Sequence, residues 1–195
     1  MNGTVIILLA AGEASRMGRP KQLLEFHSQT FIERMIHQSA QIAGHQIVLV
    51  LGANQQLIKE KINTDHLVVE VNSNWETGMG SSIKAGLKAA IKAFPHCSNL
   101  IFSVIDQPFV CSELFSELLR AKLASKKKIV ACRYAGTVGV PVLFDIQYFD
   151  LLLNLKDNQG AKNILISQSH DLETITFEKG AIDIDTPEDY SNLIA

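Results

Sequence analysis

The chemistry-bearing residues of this 195-residue chain fall into three stretches. The first runs Leu9-Ala10-Ala11-Gly12-Glu13-Ala14-Ser15-Arg16-Met17-Gly18-Arg19-Pro20-Lys21 and combines small residues, two glycines and three basic side chains. Glycine and alanine let backbone N–H groups approach a phosphate or a base, and Arg16 and Lys21 can neutralise triphosphate charge. The spacing is neither G-x-G-x-x-G nor G-x-x-x-x-G-K-S/T, which counts against a dinucleotide fingerprint and a P-loop. The same composition also suits a glycine-rich turn with solvated basic residues.

The second stretch, Asn72-Ser73-Asn74-Trp75-Glu76-Thr77-Gly78-Met79-Gly80-Ser81-Ser82-Ile83, opens a helix that carries Ile83, Leu87, Ala90 and Ile91 on one side. Gly80, Ser81 and Ser82 at its start offer N–H donors and a favourable dipole to an anion, while Ser81 or Ser82 would equally serve as an N-cap. Trp75 is suited to stacking on a base or to packing. The third set is acidic. Asp106 follows the apolar run Leu100 to Ile105, where a carboxylate suits either a turn or Mg²⁺, a hard ion held by one or two carboxylates plus water and phosphate oxygens. Asp183 and Asp185 alternate on an extended segment and so share a face, from which one can join Asp106 at a metal. Thr186-Pro187 after them opens a terminal helix whose first turn is acidic, which is by itself a sufficient reason for carboxylates here.

Short apolar runs must position these residues. Val5 to Ala10, Ile47 to Leu51, Leu67 to Val71 and Leu100 to Ile105 read as strands buried on both faces. Helical spacing lies between them at Phe31 to Ile42, Gln55 to Ile62, Ser81 to Phe94 and Ser112 to Ala124. Such alternation predicts an α/β fold with a mostly parallel sheet and helices on both faces, which binds ligands outside the carboxyl ends of its strands. The Gly12 loop, the Asn72 to Ser82 segment and Asp106 all fall at those ends. Beyond Lys128, extended runs at Ile129 to Arg133, Val140 to Phe144 and Leu172 to Thr176 and short helices near Tyr148 to Leu153 and Ala161 to Ser167 complete the same sheet, with room for an antiparallel strand.

Length and a 47% hydrophobic content predict one domain over residues 1–195. A net charge of -2 excludes a global basic field for nucleic acid or anionic membrane, so phosphate binding must be local. Cys97, Cys111 and Cys132 show neither a disulfide framework nor zinc spacing, and the six histidines form no ligand set. Val5 to Ala11 is too short to span a bilayer and lacks signal-peptide features, which makes the cytoplasm the expected location.

The first stretch resembles the signature loop of the sugar-phosphate and cofactor nucleotidyltransferases, L-A-A/G-G-x-x-x-R-M-G-x-x-K, at every fixed position. The second resembles the N-x-x-W-x-x-G-M-G-S-S-I/L motif of molybdenum cofactor cytidylyltransferases and near relatives. Asp106-Gln107-Pro108 and Asp183-Ile184-Asp185-Thr186-Pro187-Glu188-Asp189-Tyr190 are similar to that family's metal-binding and terminal motifs, in family order. The resemblance implies a three-layer, Rossmann-like nucleotidyltransferase fold of the nucleotide-diphospho-sugar transferase type. It divides the domain into a nucleotide-binding half, about 1–110, and an acceptor-binding half, about 111–195.

It also implies an activity: transfer of CMP from CTP to the terminal phosphate of a molybdopterin-type cofactor, with release of pyrophosphate. Leu9, Ala10, Ala11 and Gly12 would meet the nucleotide, Arg16 and Lys21 its phosphates, and Gly80, Ser81 and Ser82 its anionic part; Asp106 and Asp185 would hold Mg²⁺, with Arg16, Lys21 and Asp106 catalytic. Ala11 resembles the cytidylyltransferase form, since guanylyltransferases for this cofactor usually carry glycine there. The alternatives are a cytidylyl- or guanylyltransferase with another phosphate or sugar-phosphate acceptor, and a non-catalytic accessory protein that passes cofactor to a molybdenum hydroxylase or its chaperone. Two departures fall in the acceptor half. Val140 stands where relatives usually carry the histidine of G-H-P, and Asp157-Asn158-Gln159-Gly160-Ala161-Lys162 stands for G-D-x-G-A-R, with the carboxylate lost at Asn158 or displaced to Asp157.

Overall fold

The computed structural model describes residues 3–195. Strand β1 (Thr4–Ala10) is buried at every position, as a continuous apolar run requires. It lies between and parallel to β4 (Ile47–Leu51) and β6 (Asn99–Val104), and β5 (Val68–Val71) adds in parallel outside β4. Crossovers through α1 (Phe31–Ala43), α2 (Gln55–Lys61) and α3 (Met79–Ala93) join these strands. Helix α4 (Ser112–Ser125) then leads to β7 (Ile129–Tyr134), β8 (Thr137–Asp145) and β9 (Leu172–Thr176), with α5 (Phe149–Leu153) and α6 (Lys162–Ser167) before β9 and α7 (Pro187–Ile194) last.

The seven strands run in the order β5-β4-β1-β6-β8-β7-β9. Only β8 is antiparallel to its neighbours, β6 and β7, which confirms a mostly parallel sheet with one reversed strand in its second half. The period of two along β1 sorts its side chains into two cores. Ile6, Leu8 and Ala10 pack with Phe31, Ile32 and Met35 of α1 and Phe115 and Leu118 of α4, whereas Val5, Ile7 and Leu9 pack with Ile83 and Leu87 of α3 and Phe149 and Leu152 of α5. Helices therefore cover both faces.

The ends of the helices follow local chemistry. Thr30 and Glu33 form a reciprocal capping box at α1, and Thr186 and Asp189 form another at α7, where Pro187 takes the first turn. Helix α3 departs from the expected N-cap: it starts at Met79 on Gly78, and neither Ser81 nor Ser82 caps it. A two-stranded hairpin, β2 (Glu25–Phe26) with β3 (Gln29–Thr30), is an addition that periodicity over two-residue strands cannot reveal. Among the described residues, no helix is long and apolar enough to cross a membrane.

Candidate active site

The carboxyl ends of β1, β5 and β6 open into one cleft of about 310 Å³. Leu9, Ala10, Ala11 and Gly12 form one wall, Trp75, Gly78, Met79 and Ser82 another, and Lys21 and Asp106 lie at its polar end. The loop after β1 is anchored from inside. Met17 is buried in the core, and the buried Gln22 amide donates from Nε2 to the carbonyls of Ala10 (2.8 Å) and Gly12 (3.1 Å). Gln22 also lines the cleft, and sequence reasoning passed over it because a glutamine beside a basic residue carries no pattern of its own.

Lys21 Nζ donates to Asp106 Oδ2 and to Asp185 Oδ1, the latter at 3.0 Å. Arg16 joins Asp185 at 3.4 Å from a side chain that is 73% exposed. The tail returns to the cleft because the Ile184 N–H donates to the Asp106 carbonyl at 3.0 Å and Ile184 itself is buried, which sets Asp185 beside Asp106. Burial disfavours the charged ammonium of Lys21, but the Asp106 and Asp185 carboxylates together outweigh it and the pKa rises above 10.5. Asp183 is held above its ordinary 3.8 by partial burial and then by the charge of Asp106. Two cations thus pair with Asp106 and Asp185 while Asp183 adds a third, unshared carboxylate, leaving the cluster under-neutralised.

The α3 entrance differs from the expectation of free donors. The Gly80 N–H donates to the Asp157 carbonyl at 2.8 Å, and Gly80 and Ser81 stand behind the cleft wall. Ser81 and Ser82 Oγ accept from Asn72 Nδ2 at 2.8 and 3.0 Å, while Ser81 Oγ donates to the Gly78 and Asn74 carbonyls. Of this trio only Ser82 faces the cleft. Trp75 lies over Gly52, where an added Cβ would come within 2.6 Å of the Trp75 Cβ, so the indole both packs and lines the cleft.

A second cavity of about 260 Å³ adjoins the first across Leu9, Met79 and Val104. Its walls are mostly apolar, from Ile83, Phe102, Val138, Val140, Val142 and Leu165, with Tyr134, Thr137 and Lys162 as polar side chains. Tyr134 takes a hydrogen bond from Gln107 Nε2 at 3.3 Å, and Gln107 also donates to the Gly180 carbonyl at 2.9 Å. Val140 and Lys162, both departures in sequence, thus face the same space. This cavity takes walls from β1, α3 and β6 as well as from the later elements, so it straddles residue 110.

For a divalent cation the donor set fits. Asp106 and Asp185 oxygens already converge on one cation, the Lys21 ammonium, and hard carboxylate oxygens suit Mg²⁺ or Mn²⁺. No group of three or more His, Cys, Asp or Glu side chains among the described residues is arranged to hold a metal alone, so water and phosphate oxygens would complete the shell.

A mostly parallel sheet covered on both faces, with a small-residue loop, a lysine and a strand-end aspartate around one cleft, is an α/β fold with its ligand site outside the carboxyl ends of the strands. Residues 6–172 match the MobA-like NTP transferase domain, and the chain belongs to that family. It is similar over 96% of its length to nicotine blue oxidoreductase of Paenarthrobacter nicotinovorans, at 29% identity and 95% coverage of that protein. It is likewise similar to the molybdenum cofactor cytidylyltransferase of Escherichia coli K12, at 23% identity with 97% and 95% of the two chains covered. Among solved structures, Rv0371c of Mycobacterium tuberculosis H37Rv superposes with a TM-score of 0.83 at 25% identity, covering 98% of this chain and 97% of that one. The same protein in complex with manganese gives 0.76 at 25% identity, with 98% of each chain covered. The chain is a nucleotidyltransferase of the MobA-like type.

Proposed function

We propose that this chain transfers CMP from CTP to the terminal phosphate of a molybdopterin-type cofactor. The observation that carries the reading is the adjoining pair of cavities, with Lys21 and Asp106 at the polar end of the first and a mostly apolar space beside it. An acceptor phosphate oxygen forms a bond to the α-phosphorus, the bond from that phosphorus to the bridging oxygen breaks, and pyrophosphate leaves. Such a reaction needs alignment and charge neutralisation rather than a covalent nucleophile. Arg16 and Lys21 would neutralise the triphosphate, and the Ala10 to Gly12 backbone would orient the nucleotide.

Mg²⁺ would be held by Asp106 and Asp185 and would supply further neutralisation of phosphate charge when bound. The similar Rv0371c has been solved in complex with manganese, which supports a divalent cation at this site. Ala11 places a Cβ in the cleft wall where the guanylyltransferase form has none, which favours the smaller pyrimidine. The recipient of the product would be a molybdenum hydroxylase or its chaperone.

Purified protein is assayed for pyrophosphate release with CTP, GTP, ATP or UTP and molybdenum cofactor across a Mg²⁺ titration. CTP gives the highest kcat/KM and release requires Mg²⁺; comparable values for GTP and CTP would sink the base assignment. The 29% identity to a nicotine blue oxidoreductase, together with the apolar second cavity, favours one further reading, oxidation–reduction of a dye held in that cavity. Oxidation of NADH or NADPH on adding such a dye, with no pyrophosphate released under any condition, would replace the transfer reading.

A further inference from the structure

Helix α3 and the segment that follows α5 meet along the wall between the two cavities. Lys84, one turn into α3, donates from Nζ to the Leu155 carbonyl at 2.9 Å and to Asp157 Oδ1. The Gly80 N–H donates to the Asp157 carbonyl at 2.8 Å, and Gln159 N–H closes a turn on the Lys156 carbonyl at 3.0 Å. The approach is so close that a Cβ on Gly80 would lie 2.2 Å from the Lys156 carbonyl oxygen and 2.7 Å from that of Gln159. Residues 155–159 are thus strapped to the start of α3 by main-chain and side-chain bonds together.

The strap sits between two functional walls. On one side Gly78, Met79 and Ser82 of the α3 entrance line the first cleft; on the other, Gly160, Ala161 and Lys162, which follow the strap directly, line the second cavity, and Met79 lines both. The Lys84 and Asp157 side chains are 23% and 44% exposed, so their attraction is partly screened and contributes little to global stability. Its effect is local. The Lys84 hydrogen bond holds the Asp157 carboxyl below its ordinary 3.8.

We propose that the Lys84–Asp157 pair is a positioning latch: it fixes residues 155–162 against α3 and thereby sets the shape of the second cavity and its affinity for the acceptor, without touching either substrate. The displaced carboxylate at Asp157 then has a place in the molecule, as the partner of Lys84 rather than as a ligand. The proposal rests on the second cavity being the acceptor's, and its test is read by binding so that it stands apart from turnover.

Lys84→Met and Asp157→Asn are made singly, with Lys88→Met, an exposed lysine one turn further along α3, as the control. Equilibrium binding of molybdenum cofactor and of Mg²⁺–CTP is measured, together with amide hydrogen exchange over residues 156–162. Both latch variants weaken cofactor binding on the order of tenfold, leave CTP binding within about twofold and speed exchange in that segment. Lys88→Met changes none of these. The charge swap Lys84→Glu with Asp157→Lys recovers part of the cofactor affinity that either single reversal loses. Unchanged exchange and unchanged cofactor affinity in both single variants would overturn the latch, as would equal losses for both ligands. A wild type that binds CTP but no molybdenum cofactor sinks the acceptor reading instead, while the exchange result still judges the latch.

Discussion

Strand β6 has a lysine–carboxylate cluster at each end, and the two differ in balance. At its start, Lys122 donates to Asn99 Oδ1 and, at 2.6 Å, to Asp145 Oδ2, and the other Asp145 oxygen takes the Gln147 N–H at 3.1 Å. One cation meets one carboxylate there, both more than four-fifths buried at the side chain, and every named oxygen has a partner. At its far end Lys21 and Arg16 pair with Asp106 and Asp185, Asp183 adds a third carboxylate nearby, and the cluster opens on a cleft. A saturated buried pair holds two elements together. An under-neutralised cluster on a cleft keeps charge in reserve for a ligand, at some cost in stability.

The largest departure from this contrast would come from Lys21→Met, which removes the cation buried between two carboxylates. Turnover, read as initial pyrophosphate release, should fall on the order of a hundredfold or more, because a fixed charge in a partly dry site acts most strongly on the transition state. Near-normal turnover would move Lys21 into the class of Lys122.

Asp145→Asn probes the other end and should lower stability by roughly 2–4 kcal/mol while leaving turnover intact, because Lys122 then stays buried with half its partners. Burial opposes ionisation of Asp145, yet the hydrogen bond and charge of Lys122, the Gln147 N–H and the charge of Lys128 together outweigh it and hold the carboxyl below 3.8. The sign follows: its contribution is fully present above pH 3.8 and is lost as pH falls through the lower folded value. Urea midpoints from neutral pH to below that range should therefore converge for wild type and Asp145→Asn. A constant gap across the acid limb would contradict the assignment.

The smallest effect is expected at Arg16, whose guanidinium is mostly exposed and held by a single 3.4 Å ion pair to Asp185. Arg16→Ala should reduce turnover about tenfold, with a steeper dependence on ionic strength in the wild type than in the variant. Identical rates and salt dependence would leave Arg16 as a solvated loop residue.

The sheet was legible because each parallel strand is an unbroken apolar run ended by a small or polar residue, as at Ala10, Gly52 and Asp106. The meeting of the Gly12 loop with Asp106 was legible because each follows the carboxyl end of a strand, whereas the direct pairing of Lys21 with Asp106 was not. Period two puts Asp183 and Asp185 on one face, and the preference for Asp185 comes from the resemblance; the buried Ile184 between them is the packing that turns both outward. What escaped depends on long-range packing. Gln22 reaching back to Ala10, Lys84 reaching Asp157 and Gln107 reaching Gly180 join positions between which no periodicity runs. The same holds for the Gly80 N–H: helix-start geometry predicts a free donor, and only the returning chain at Asp157 shows it occupied.

The most direct measurement is a pair of readings on Asp106→Asn, which keeps the shape of the side chain and deletes one charge from the under-neutralised cluster. Pyrophosphate release with CTP and molybdenum cofactor is followed across a Mg²⁺ titration, and the melting temperature is recorded on the same protein. Turnover should fall on the order of a hundredfold or more, while melting falls less than in Asp145→Asn, because relief of like-charge repulsion with Asp183 and Asp185 offsets part of the attraction lost at Lys21. An Asp106→Asn protein with the wild-type rate and wild-type Mg²⁺ dependence, and with its melting temperature lowered as far as in Asp145→Asn, would show Asp106 to be a structural ion-pair residue like Asp145 and would contradict the account.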